Sequence, residues 1–168
     1  MPAQDEISVE EYLRTSYRPD CDYIDGHIEE RNLGEWDHAN LQTAIAIYFG
    51  NRRKQWGINV VVEQRVQVSP TRFRIPDVCV ILGEPDGQIL RKPPFICIEV
   101  VSPEDRLNRL EQRIEDFLAM GVAYVWVIDP QTRKAYAATQ ASGLFEVGTG
   151  ILATENPAIE LPLNEIFE

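Results

Sequence analysis

The run Phe95-Ile96-Cys97-Ile98-Glu99-Val100-Val101 sets the strongest condition on how this 168-residue chain can fold. It is apolar without alternation, the pattern of a strand covered on both faces, so packed layers must lie on each side of a sheet. One carboxylate sits inside it. Glu99 is therefore protonated, paired with an arginine such as Arg74, or bound to a cation, because an isolated buried charge is too costly to keep.

Asp77, in Arg74-Ile75-Pro76-Asp77-Val78, is the natural companion. If residues 77–82 and 95–101 are antiparallel neighbours joined by the loop from Gly83 to Pro94, the loop centre falls near position 88, which is also midway between Asp77 and Glu99. The two carboxylates then stand side by side, with Cβ atoms about 4.5–5.5 Å apart. Such a pair repels itself unless a divalent cation lies between its oxygens. Ordinary turn chemistry after proline is the competing reading of Asp77.

Length and composition suit one domain over residues 1–168, with a core at about 8–139 and edge strands and a tail at 140–168. The amino terminus lacks the basic-then-apolar pattern of a signal peptide, and no apolar run approaches the ~20 residues that span a bilayer. A cytoplasmic protein without membrane contact is expected. Cys21, Cys79 and Cys97 are an odd number without CxxC spacing, which supports neither a zinc site nor a disulfide framework. The net charge of −11 argues against non-specific coating of nucleic acid. Residues 52–113 nevertheless carry eleven Lys and Arg against eight Asp and Glu, and they contain the carboxylate pair.

Periodicity predicts a short helix at 8–16 capped by Ser8, then a hairpin in which Cys21–Ile24 and His27–Glu30 flank Asp25-Gly26. A helix capped by Asp37 runs to about Trp56 on Leu41, Ala44, Ile45, Tyr48 and Phe49, with a polar opposite face. Strands follow at about 58–68, 74–82 and 95–101. Ser102 and Pro103 open a second helix with the stripe Leu107, Leu110, Ile114, Phe117 and Leu118, and Gly121 ends it. Residues 124–129 and 135–139 are two further strands. The fold class is α/β (α+β), a mixed β-sheet flanked by helices, in αβββαβ order behind an N-terminal hairpin.

These features resemble the PD-(D/E)XK nuclease superfamily, and more closely its Uma-type restriction endonuclease family. The residues that carry the likeness are Asp22-Tyr23-Ile24-Asp25-Gly26, His38, Pro76-Asp77-Val78, Ile98-Glu99-Val100-Val101-Ser102-Pro103 and the run from Gly121 to Pro130. The resemblance implies a restriction endonuclease-like core and a DNA endonuclease. In it Asp77, Glu99 and the Val100 carbonyl hold Mg2+, or Mn2+, against a phosphate. Magnesium suits that role because it binds through one or two carboxylates plus substrate phosphate.

The chain departs from the superfamily pattern at Val101, where a lysine normally stands. The resemblance moves the cationic role to Arg113, on the following helix. Arg113 can grip phosphate but cannot relay a proton. Arg106, Arg109 and Arg113 share one helical face by spacing, and Arg74, Arg106 and Arg109 are the expected nucleic-acid contacts. Asp22 either completes the metal shell through water or bonds nearby backbone. Glu63 is another candidate carboxylate, and His38 reads chiefly as structural. The cluster Arg52-Arg53-Lys54 either touches phosphate or closes a helix end.

The expected function is a Mg2+-dependent DNA endonuclease acting as a homodimer. One alternative is a binding or regulatory module that keeps the nuclease fold without its chemistry. Another is a structural partner protein with an interface marked by exposed Trp36, Trp56 or Tyr48.

Overall fold

Ser8 opens the first helix, α1 (Val9–Arg14), by accepting the Glu11 N–H, as its sequence predicts. The computed structural model describes residues 5–167, so the first four residues of the segment read for a signal peptide lie outside it. Strands β1 (Cys21–Ile24) and β2 (His27–Glu30) turn about Asp25 at φ 48° and Gly26 at φ 93°, the two positive dihedrals that a tight two-residue hairpin needs. Helix α2 (Trp36–Gly50) starts one residue before Asp37, with Glu35 at its N-cap. It does not reach Trp56: a separate turn of helix, α3 (Arg53–Trp56), follows and closes on Gly57 in the left-handed region. The outer face of α2 is not wholly polar, since Ile47 is 57 % exposed.

The expected strand at 58–68 divides into β3 (Ile58–Val62) and β4 (Val66–Ser69) at Glu63, whose φ of 51° breaks the extended backbone. The expected strand at 74–82 divides likewise into β5 (Arg72–Arg74) and β6 (Val78–Leu82), because Pro76 cannot donate to a ladder. After β7 (Ile96–Val100) and helix α4 (Leu107–Met120) come β8 (Tyr124–Ile128), β9 (Ala135–Ala138), β10 (Phe145–Glu146), β11 (Ile151–Ala153) and β12 (Glu160–Pro162). Ser102 and Pro103 do not open α4. The Ser102 N–H instead donates to the Asp105 carboxylate at 2.6 Å, a local turn that delays the helix to Leu107 and leaves Arg106 at its N-cap.

The architecture is mixed α/β. Six strands form one sheet in the order β10-β9-β8-β7-β6-β3, parallel only between β7 and β8, and four form another in the order β2-β1-β5-β4. The elements α2, β3, β6, β7, α4 and β8 follow the expected order, with β4 and β5 diverted into the second sheet. The two faces of the larger sheet are divided by parity, as pleating requires. Val78, Val80, Ile96, Ile98, Val100, Trp126 and Ile128 pack toward α2 with Ile45 and Phe49. Cys79, Ile81, Cys97, Val125 and Val127 pack toward α4 with Ile114 and Phe117. Both faces of β7 are therefore covered, and Glu99 falls on the α4 side.

Leu107, read as part of the α4 stripe, is 69 % exposed at the first residue of the helix. The segment after residue 140 is more than a tail. Leu152, Ile159 and Leu161 are fully buried in the same cluster as Ile45 and Trp126. Of the aromatic residues read as an interface, only Trp36 is exposed; Tyr48 is buried and Trp56 half-buried. Among the described residues no helix is long and apolar enough to cross a membrane.

Candidate active site

Strand register brings the two carboxylates together. The pairing of Val78 with Ile98 and of Cys79 with Cys97, extended by one residue beyond the ladder, sets Asp77 opposite Glu99, the alignment expected from the loop centre. Asp77 lies one residue before β6, on the short Ile75-Pro76-Asp77 link from β5. Its backbone is held from two sides: its carbonyl accepts from Gln42 Nε2 at 2.9 Å and from the Glu63 N–H at 3.2 Å.

The Asp77 carboxylate is almost fully engaged. Oδ2 accepts the Val100 N–H at 2.7 Å and lies 3.3 Å from His38 Nε2, while Oδ1 accepts from Arg31 Nη2 at 2.9 Å. Burial pushes its pKa up, but the His38 hydrogen bond and the charges of His38, Arg31 and Arg113 outweigh that and hold it below the usual value. The same contact raises the pKa of His38. The Val100 backbone thus reaches Asp77 through its N–H.

Glu99 is 2 % exposed and differs from Asp77 in its surroundings. Burial pushes its pKa up to about 8; Arg113 works against that shift and the Asp77 charge adds to it. Oε2 accepts from Arg113 Nη2 at 2.5 Å, yet Oε1 has no hydrogen-bond partner. The pairing of Glu99 with an arginine is realised, but by Arg113 of α4 rather than Arg74. Parity explains the choice, since odd positions of β7 face α4. Arg113 Nε is also buried without a partner, so the contact leaves one unsatisfied polar atom on each side.

Arg74 is not placed to meet nucleic acid. It is fully buried, with Nη1 3.2 Å from Asp22 and 3.3 Å from Glu29, and Nη2 2.8 Å from Asp116. The physical reason is its place on β5, between the hairpin and α4, where three carboxylates converge. Asp22 is held in that network: Oδ2 meets Arg74 and Oδ1 accepts the Ile75 N–H at 3.2 Å, so the backbone-bonding reading describes its contacts. Burial raises its pKa despite the nearby arginines. Arg106 and Arg109 are exposed, Arg106 at the N-cap of α4 and Arg109 in its first turn. In the basic cluster, Arg52 stacks on the Tyr48 ring at 3.7 Å and Arg53 bonds Asn59, contacts of a helix end.

A cavity of about 230 Å3 opens onto Asp77 and is lined also by Arg31, His38, Gln42, Val100 and Arg113. Glu63 borders it and is 3.8 Å from Arg31. Sequence reasoning missed Arg31, which follows β2 in an unremarked stretch; nothing in its spacing points to Asp77, 46 residues away. His38, read as structural, lies at the site itself. Among the described residues no group of three or more His, Cys, Asp or Glu is arranged to hold a metal ion. The donors that are present, Asp77 and the orphaned Glu99 Oε1, suit an ion such as Mg2+ that takes one or two carboxylates and completes its shell with water and substrate oxygen.

No curated protein sequence matches this chain. Among solved structures it is similar to a protein from Anabaena variabilis ATCC 29413 described as a putative nuclease belonging to DUF820. That likeness has a TM-score of 0.81 at 20 % identity and covers 96 % of this chain and 97 % of the other, which shows a common fold. A family model, "Uma2: Putative restriction endonuclease", matches residues 9–161. With nearly its whole length inside that match, the chain belongs to the Uma2 family.

Proposed function

We propose that this chain is a metal-dependent endonuclease that hydrolyses DNA phosphodiester bonds, with Asp77 and Glu99 as the ligands of Mg2+ or Mn2+. The observation that carries the reading is the alignment of a buried Glu99, one oxygen of which lacks a partner, beside Asp77 at the end of two neighbouring strands. The order α2, β3, β6, β7, α4, β8 supports a restriction endonuclease-like core. So does membership of a family with the description "Putative restriction endonuclease".

A bound Mg2+ supplies an acidified water and positive charge beside the phosphoryl oxygens. The protein's own part is positional and electrostatic. His38 and the Val100 N–H orient Asp77. Arg113 meets the phosphate from the α4 side, where its permanent charge offsets charge that develops on the phosphoryl group. Paired cuts in a duplex call for two copies of the chain.

A second reading is favoured by a specific observation. Val101 occupies the usual lysine position, and Arg31, His38 and the Val100 N–H already occupy the Asp77 oxygens, as in a binding module whose chemistry has been lost. The test is cleavage of supercoiled plasmid in Mg2+ or Mn2+ by the wild type, Asp77→Ala and Glu99→Ala at low salt, where weak phosphate binding persists. Nicking by the wild type alone, with the variants reduced at least 100-fold, supports the endonuclease. No cleavage by any of them, with no metal binding by calorimetry, supports the binding module.

A further inference from the structure

The residue that most affects what this cavity can hold is Arg31. Its side chain is 13 % exposed, against 4 % for the Asp77 it contacts. It also lines a neighbouring groove of about 520 Å3 beside the hairpin, and Pro19 and Leu33 border both spaces. Arg31 therefore stands between the carboxylate site and a surface groove.

The charged and titratable side chains enclosed along the cavity are Asp77, Arg31, His38 and Arg113: Arg31 and His38 both contact Asp77, and Arg113 contacts Glu99, which is itself buried. Other acids border the cavity. Asp20 and Glu63 are exposed and screened by solvent, and the Asp105 oxygens accept from the Ser102 N–H and from Asn32. A dication taken up by Asp77 competes with Arg31 for the same carboxylate. It also leaves the Arg31 guanidinium with only the exposed Glu63 carboxylate, 3.8 Å away, which is unfavourable because a guanidinium cannot shed its charge. An anionic phosphodiester oxygen relieves both conditions, since the freed fork donates to it as readily as to a carboxylate.

We propose that Arg31 is a phosphate-binding residue of this site, which pairs with Asp77 as the structure shows and transfers to a phosphodiester oxygen when a divalent cation takes up that carboxylate. Cation and phosphate then bind cooperatively, and each raises the affinity for the other by the same factor. The inference rests on the reading of Asp77 and Glu99 as cation ligands.

The experiment is a Mn2+ titration of the folded, full-length chain by calorimetry, with and without saturating dimethyl phosphate, the smallest uncleaved phosphodiester. The wild type is expected to bind Mn2+ at least tenfold more tightly when the diester is present. Arg31→Ala is expected to bind Mn2+ alone more tightly than the wild type, and to keep less than a threefold effect of the diester. Arg31→Gln, a neutral variant of similar shape, gives the same result if the alanine variant does not fold. Equal Mn2+ affinity of the wild type with and without the diester overturns the proposal, as does weaker Mn2+ binding by the Arg31 variants. Glu99→Gln is titrated beside them: if Mn2+ binding is lost in that variant but is unchanged in the Arg31 variants, this proposal alone falls. If no protein binds Mn2+ under any condition, the ligand reading falls with it.

Discussion

Glu99 is the residue at which burial and charge conflict most openly. Burial pushes its pKa up to about 8, against 4.5 for a free glutamate. Between those values the native state binds more protons than the unfolded one, so its part of the stability falls as pH rises. Asp22 and His38, both with raised pKa values, act with the same sign: their stabilisation is present below the unfolded value and lost as pH rises through the folded one. Asp77 acts oppositely, and its stabilisation is lost only as pH falls through its lowered value. Unfolding free energy from urea titrations is therefore expected to fall between about pH 5 and 8. Glu99→Gln should reduce that slope by about one proton, roughly 1.4 kcal/mol per pH unit; an unchanged slope contradicts a buried, protonated Glu99. Sequence showed that this carboxylate is exceptional, because a charge in a continuous apolar run is visible without a structure. It did not show Arg113 as the partner over Arg74, which follows from the face of β7 that α4 covers.

At the scale of elements, one arginine ties three of them together. Arg74 of β5 meets Asp22 of β1, Glu29 of β2 and Asp116 of α4, and Arg72 joins Asp25 of the hairpin turn to the same Asp116. Asp116 lies one turn beyond Arg113, so this network also fixes the helix from which Arg113 reaches Glu99. Removal of a buried cation leaves its carboxylates uncompensated. Arg74→Ala is expected to cost about 3–5 kcal/mol in urea denaturation. Arg74→Lys should recover little of that, because a single ammonium cannot hold acids on opposite sides of a planar fork. A loss below 1 kcal/mol would contradict the network's structural role. The hairpin, the first helix and the register of β6 on β7 were legible because local turn chemistry and loop length determine them. The boundaries at Glu63, at Pro76 and at Ser102 to Leu107 were not, since each is settled by which sheet or turn captures the backbone.

Across the whole molecule, the C-terminal segment completes the core on the α2 side. Leu152, Ile159 and Leu161 are fully buried among residues of α2, β7 and β8, and Tyr48 donates its hydroxyl to the Glu160 carbonyl at 2.6 Å. A chain ended at residue 139 is expected to lose cooperative thermal unfolding by circular dichroism, and Leu161→Ala alone should cost about 2–5 kcal/mol. Retention of a sharp transition by the shortened chain would show the segment to be dispensable. By itself the sequence determined that a doubly covered strand carries Glu99, that Asp77 aligns with it, and that helices lie on both faces. These follow from periodicity, turn residues and loop length, all properties of contiguous chain. Only the tertiary structure decided that Arg113 pairs with Glu99, that Arg31 and His38 converge on Asp77, and that Arg74 is enclosed. Those contacts join residues 14 to 52 positions apart, and they depend on which faces pack together, a choice made by the burial of the whole core.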